Sequence, residues 1–194
     1  AIAVGFGVFG AIIGTVFKLS TVGTQKLAAP LAGRPVLRCT GVGLILGLVG
    51  MALPLTLFLG TEGLVDVTSH PAELGIGLIL VSALVKILAT TGALSFGFVG
   101  GPIFPLLFVG GSLGSVAHLA IPGIPLGLAV AAMMAAVPSA VIPVPLSIAT
   151  LTVLIAGIPA TESTVVFAAA IVALVCSQAI APILEKSKPK PTAA

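Results

Sequence analysis

The feature that most constrains this chain is a series of long apolar segments that proline and glycine repeatedly interrupt. Its 194 residues are 58% hydrophobic and only 7% charged, against roughly 25% charged in a typical soluble domain. A water-soluble fold could not cover such a surface. A bilayer core of about 30 Å, in contrast, accepts apolar helices of roughly 20 residues. The composition therefore predicts an all-α integral membrane protein.

Several of the apolar segments are too short to cross a bilayer as one straight helix. The pattern predicts longer segments at 1–17, 39–53, 72–94 and 163–183 and shorter helices at 103–120, 126–137 and 144–156. Backbone N–H and C=O groups cannot stay unpaired in lipid, so a broken helix must be buried in protein or line an aqueous or ionic cavity. Transporters build ion sites from such helices. We therefore expect tilted and broken transmembrane helices around an ion pathway.

Glycine and the basic residues add two expectations. Gly43, Gly47 and Gly50 lie near one face of the 39–53 segment, which we interpret as a helix-packing seam. Seven of the eight Lys and Arg residues lie in a linker after the first segment and in the tail: Lys18, Lys26, Arg34, Arg38, Lys186, Lys188 and Lys190. Because cytoplasmic loops carry an excess of basic residues, both regions are predicted to face the cytoplasm. This divides the chain into a membrane domain, 1–184, and a polar cytoplasmic tail, 185–194.

Composition and spacing also argue against several function classes. A net charge of +3 is too slight and too scattered for a nucleic-acid-binding surface. Cys39, Cys176, His70 and His118 are not spaced as metal ligands, and nothing resembles a nucleophile with its base. We therefore expect no enzyme activity, catalytic residue, metal, cofactor or nucleic-acid partner.

The candidate site lies where a glycine pair precedes an apolar helix. Gly100 and Gly101 should let the backbone turn tightly and leave the first amides of that helix, near Ile103, pointing outward. Free amides and the helix dipole together attract an anion, and an ion held only by partial charges can leave again, as a permeant ion must. The predicted anion-binding residues are Gly100, Gly101, Ile103, Phe104 and Pro105. The alternative is that the glycine pair only permits helix packing.

Lys86 is the second candidate, because it lies in the middle of the apolar 72–94 segment. A charge at such a position is costly and is often functional. It either attracts anions toward the pore, or snorkels or pairs with a backbone carbonyl.

Two runs of sequence resemble the CLC family of chloride channels and chloride/proton antiporters. V-K-I-L-A-T-T at 85–91 and G-G-P-I-F-P-L-L-F at 100–108 are similar to the family's K-x-L-A-T and G-G-I-F-x-P-x-L-F elements. M-A-A-V at 134–137 and P-L-S at 145–147 look like its M-A-A-x and A-P-L-T elements, at the same separation. Two departures stand out: Pro102 has no N–H where the family has a donor, and the chain has no tyrosine to match the one that contacts the central ion.

The resemblance covers nearly the whole chain and corresponds to the family's second inverted repeat. It implies anion transport by a CLC-type channel or chloride/proton exchanger, with backbone amides holding chloride. It also implies a homodimer in which each subunit has its own pathway. The chain starts with Ala1 inside an apolar segment that lacks the charged region of a signal peptide. We therefore expect the first repeat on the same native chain or on a partner chain.

Three questions stay open at the level of sequence. Channel and exchanger cannot be told apart, because the glutamates that distinguish them belong to the first repeat. A secondary transporter of another substrate could use the same broken-helix logic. The third question is whether the chain is instead a non-conducting, truncated membrane subunit.

Overall fold

The computed structural model describes residues 2–57 and 59–186, and within them it is helical with no β-strand. Its α-helices are α1 Ile2–Ala28, α2 Pro35–Ala52, α3 Thr61–Ser69, α4 Pro71–Ser95, α5 Ile103–Ala120, α6 Leu126–Val141, α7 Pro145–Ala156 and α8 Ala160–Lys186. Short 3-10 turns at Ala29–Leu31 and Pro54–Thr56 precede and follow α2. The predicted all-α architecture is confirmed.

Helix length divides these elements into two groups. Among the described residues, α1, α2, α4, α5 and α8 are long and apolar enough to cross a membrane. The equally apolar α6 and α7 have only 16 and 12 residues. At 1.5 Å per residue they reach about 24 and 18 Å, less than a bilayer core of about 30 Å. Such short helices need protein around their ends.

Three of the helices contain a residue that interrupts regular α-helical geometry or hydrogen bonding: Gly75 in α4, Pro138 in α6 and Pro182 in α8. α4 contains Gly75, whose φ of 74° and ψ of 152° lie outside the helical region. Pro138 lies inside α6 and has no N–H to give to the carbonyl of Met134. Gly75 therefore interrupts α4, which the sequence pattern predicted as one unbroken helix, whereas α6 continues through Pro138, where a break was predicted.

The first helix is longer than the sequence pattern predicts. We expected it to end at Phe17, followed by a broken linker holding Lys18 and Lys26, but α1 continues to Ala28. A single glycine such as Gly23 costs a helix only about 1 kcal/mol, which tertiary contacts easily outweigh. One such contact is the hydroxyl of Thr24, which is 3.1 Å from the Thr91 carbonyl oxygen of α4.

Two other boundaries also differ from the expected ones. α2 begins at Pro35 instead of Cys39, because proline suits the first turn of a helix, where its missing N–H is not needed. α6 runs on to Val141 instead of ending at residue 137. Surrounding helices bury residues 129–140 completely or nearly so, and this packing holds the helix together through Pro138.

The core is formed where α5 and α6 cross at close range. An added Cβ at Gly110 would overlap the Met133 carbonyl oxygen, and one at Gly114 would overlap the backbone of Val130. The absence of side chains at these glycines lets the two helix backbones touch, as small residues do in membrane helix pairs. Residues 105–115 of α5 are buried as a result.

Two contacts show that α1 and α8 run in the same direction. Near the start of α1, an added Cβ at Gly7 would lie 2.6 Å from Val172. Farther along, the Lys18 Nζ donates to the Ser177 Oγ at 2.8 Å. Residue numbers increase together along both helices, so the C-terminal ends of α1 and α8 lie at the same side of the helix bundle.

Candidate functional site

A cavity of about 480 Å³ lies between α2, α4 and the start of α5. One wall is the glycine-bearing face of α2, and the opposite wall includes Lys86 and Thr90 of α4. The third side is the segment 98–101, which leads into α5, together with Pro105. The described part of the lining includes this one lysine and no Asp or Glu.

The start of α5 leaves several amides without partners. The first hydrogen bond of the helix runs from the Leu106 N–H to the Pro102 carbonyl, at 3.0 Å. Among the described residues, the N–H groups of Gly100, Gly101, Ile103 and Phe104 have no hydrogen-bond acceptor. No side chain caps this helix. A helix beginning in this way presents partial positive charge to the space in front of it.

The structure separates the predicted anion-binding residues into two groups. Gly100, Gly101 and Pro105 line the cavity, whereas Ile103 and Phe104 do not. Ile103 packs against a small apolar cluster of α5 and α6, and the Phe104 side chain is exposed. Gly100 and Gly101 are therefore the members of the predicted set that both line the cavity and have an N–H group without an acceptor among the described residues.

The reason expected for the glycine pair is wrong. Neither Gly100 nor Gly101 has a positive φ, so the turn does not require glycine there. An added Cβ at either position would meet no other atom within 4 Å. Both glycines instead leave open the volume that a side chain would occupy. The reading that they serve helix packing has no contact to support it.

The turn itself is made by Gly97, which the sequence analysis did not single out. Gly97 has φ 105°, and its N–H bonds the Leu94 carbonyl at 3.4 Å while the Phe98 N–H bonds the Ala93 carbonyl at 3.0 Å. These are the two hydrogen bonds of a Schellman motif, which ends a helix at a left-handed glycine. The signal in the sequence was a glycine just beyond the last residue of a predicted helix.

Lys86 reaches a backbone carbonyl from inside the protein. Its side chain is 3% exposed, and its Nζ donates to the Thr56 oxygen at 2.8 Å. The same atom lies 5.7 Å from the centroid of the Phe108 ring, within the range of a cation–π contact. Pairing with a carbonyl, one of the two readings, is confirmed. Because Lys86 also lines the cavity, its effect on the pore stays a prediction.

Lys86 also marks how deep the cavity reaches. It lies nine residues before Ser95, the end of α4. At 1.5 Å per residue this is about 13 Å along the helix axis. The cavity therefore extends from the 98–101 segment for more than two helical turns along α4.

The glycine face of α2 does not form the expected helix-packing seam. An added Cβ at Gly43 would lie 3.6 Å from the Phe98 ring, and one at Gly50 would overlap the Leu57 side chain. At Gly47 it would meet nothing within 4 Å. These neighbours belong to connecting segments, so this face of α2 borders the cavity instead of another helix.

The remaining candidates for ligand chemistry take part in local structure. Within residues 2–57 and 59–186, no group of three or more His, Cys, Asp or Glu side chains could hold a metal ion. The Nδ1 of His118 is 2.7 Å from the Ile124 carbonyl oxygen, and the Cys39 thiol donates to the Phe96 carbonyl at 3.4 Å.

Comparison with known proteins gives one family. Residues 1–180 match the family model described as "Voltage gated chloride channel". The chain is also 37% identical over 97 residues to the "Putative ion-transport protein YfeO" of Salmonella newport (strain SL254), Salmonella agona (strain SL483) and Salmonella schwarzengrund (strain CVM19633). The matched region is 50% of this chain and 23% of each relative. It therefore spans about a quarter of the length of these relatives.

Proposed function

This chain belongs to the voltage gated chloride channel family, and it is an integral, multi-pass membrane protein. We propose that it transports chloride or a similar small anion as part of a CLC-type channel or chloride/proton exchanger. One observation carries the proposal. Gly100 and Gly101 line a cavity at the start of α5, and their N–H groups have no acceptor among the described residues.

The charges around the cavity favour an anion. The aligned peptide dipoles of a helix place about half a positive charge at its N-terminus, which here is the start of α5. Lys86 adds an ammonium group on the α4 wall, and no described lining residue is acidic. A cation would meet repulsion from Lys86 and from the start of α5, whereas chloride would meet hydrogen-bond donors and positive charge.

The size of the cavity suits an ion that keeps part of its water. A water molecule takes about 30 Å³ in the liquid, so a cavity of about 480 Å³ has room for an anion with several waters. Backbone donors replace only some of the lost hydration. Such partial replacement allows both entry and release, which conduction requires.

We further propose that the C-terminal tail is cytoplasmic. The parallel course of α1 and α8 brings the end of α8 to the side where α1 ends, near Lys26, Arg34 and Arg38. An excess of basic residues at one side is typical of cytoplasmic loops. Residues 187–194 of the tail lie outside the described residues.

The assembly is also a proposal. We expect a homodimer with one pathway in each subunit, and the first repeat on the same native chain or on a partner chain. α2 supports this expectation because Val36, Leu44, Leu48 and Met51 are exposed apolar side chains on it. Such a surface needs either lipid or further protein to cover it.

The test is anion flux through the full-length protein reconstituted in liposomes. We expect chloride efflux that nitrate competes for more strongly than sulfate. Simultaneous proton uptake identifies an exchanger, and its absence identifies a channel. Absence of anion flux with uptake of another solute would instead show a secondary transporter of a different substrate. A protein that folds but carries nothing would be a non-conducting subunit.

A further inference from the structure

Arg38 of α2 contacts the end of α4 just before the cavity-lining segment. Its Nε donates to the Phe96 carbonyl oxygen at 2.8 Å. Phe96 is the C-cap of α4, so its carbonyl is one of the acceptors that a helix end leaves without an intrahelical partner. A guanidinium group at this place also interacts favourably with the negative end of the helix dipole.

The same arginine packs against the glycine that makes the turn. A Cβ built on Gly97 would lie 2.6 Å from the Nη2 of Arg38 and 3.5 Å from the Cys39 sulfur. The Cys39 thiol donates to the same Phe96 carbonyl that Arg38 reaches. Arg38 and Cys39 therefore hold both the carbonyl and the glycine of this turn.

Beyond this contact, little protein supports the chain until α5 begins. Phe98 and Val99 are exposed, and a Cβ added at Gly100 or Gly101 would meet nothing within 4 Å. The direction in which the backbone leaves Gly97 therefore decides where the amides of Gly100 and Gly101 lie. The Arg38 contact also joins α2 to the end of α4, the two helices that form opposite walls of the cavity.

We propose that Arg38 is a positioning residue for the anion site. It holds the turn at 96–97 against α2, so that the Gly100 and Gly101 amides border the cavity, without contacting the ion itself. The inference rests on the proposed function, and it assigns to a basic residue in the first turn of α2 a role in the geometry of the site.

A planar guanidinium is required for this role. It gives the Nε–H to the carbonyl while its Nη2 lies beside Gly97, and the single ammonium of lysine cannot do both. Charge and geometry can therefore be separated. Arg38→Lys keeps the positive charge but loses the planar guanidinium group, whereas Arg38→Gln loses both.

The experiment compares both Arg38 variants of the full-length protein with Arg34→Gln. Arg34 lies one helical turn earlier, is exposed and makes no side-chain hydrogen bond among the described residues, so it controls for the lost charge. Chloride affinity is measured by calorimetry, and the hydrogen bonds of the turn are measured by hydrogen exchange at the Gly97 and Phe98 amides. We expect both Arg38 variants to bind chloride roughly tenfold more weakly, because neither new side chain can contact the Phe96 carbonyl and Gly97 at once, with faster exchange at the hydrogen-bonded Gly97 and Phe98 amides. Arg34→Gln is expected to match the wild type in chloride affinity and in hydrogen exchange.

A second pair of variants tests the contact from the other side. Gly97→Ala places a methyl group against Arg38, whereas Gly123→Ala places one at a similar positive φ of 89° with nothing within 4 Å. Both carry the same kind of backbone strain. Only Gly97→Ala should weaken chloride binding and speed exchange at the Phe98 amide, which is bonded to the Ala93 carbonyl.

Three results would overturn the inference. Wild-type affinity in Arg38→Lys would mean that the charge alone matters. Unchanged exchange at the Gly97 and Phe98 amides in both Arg38 variants would remove the positioning role. Equal effects of Gly97→Ala and Gly123→Ala on affinity would mean that strain explains the loss. If the wild type binds no chloride, the proposed function fails by itself, and hydrogen exchange alone then decides whether Arg38 holds the turn.

Discussion

Glycine does opposite things in two regions of this molecule. At the α5–α6 crossing, Gly110 and Gly114 lie against the backbone of the partner helix, with no room for a methyl group. At the cavity, Gly47, Gly100 and Gly101 have nothing within 4 Å of the place where a Cβ would be. The same residue type therefore closes the core and keeps the candidate ion site open.

This difference separates the region that stabilises the fold from the region that we propose for transport. The crossing of α5 and α6 is dense, and changes of volume there are strongly felt. The cavity has thin walls, since α2 is largely exposed and the 98–101 segment has few contacts. Variants in the first region should change folding and those in the second should change transport.

The largest effect is expected from Gly110→Val in the core. The valine side chain would overlap the Met133 carbonyl, and a packed helix backbone cannot move aside cheaply. Overpacking of this kind costs about 3 kcal/mol of unfolding free energy. Thermal unfolding in detergent measures it, with Gly5→Val as the control, because a Cβ at Gly5 meets nothing. Equal stability of the two variants would refute the dense packing.

Gly101→Val should give the clearest loss of transport without a loss of fold. The side chain would enter the cavity, so we expect most of the chloride flux to disappear while the unfolding temperature stays near that of the wild type. Gly41→Val is the matched control, since that glycine also has nothing within 4 Å and does not line the cavity. Normal flux in Gly101→Val would remove this segment from the pathway.

Lys86→Met should have a smaller effect on both properties. Methionine fills a similar volume but cannot donate to the Thr56 carbonyl, and losing such a charged hydrogen bond costs about 2 kcal/mol. We expect flux to fall severalfold, because one positive wall of the cavity becomes neutral. Lys26→Met, at an exposed site on α1, controls for the charge. If Lys86→Met lowers the stability but leaves the chloride flux unchanged, Lys86 has only a structural role.

Much of the fold could be predicted because membrane helices are defined by composition and by proline. The start of α5 at Ile103 was predicted, as was a helix around Lys86. The continuation of α1 beyond Phe17 was not, because it depends on packing partners such as Thr91 that lie far away in sequence.

The site was predicted less completely, for the same physical reason. Sequence alone identified the segment that contains Gly100 and Gly101 but could not say whether a glycine lies beside backbone or beside empty space. It also treated Arg38 as a charge in a linker, since the contact with Phe96 joins residues 58 positions apart. The turn at Gly97 could have been predicted, because a glycine just after a helix is a recognisable local signal.

The most direct test of the account is the position of a bound anion in a crystal of the full-length protein grown with bromide, located by anomalous diffraction. We predict a bromide peak in the cavity between α2 and α4, within hydrogen-bond distance of the Gly100 or Gly101 amide. An empty cavity, with bromide bound elsewhere in a protein that still transports chloride, would contradict the account.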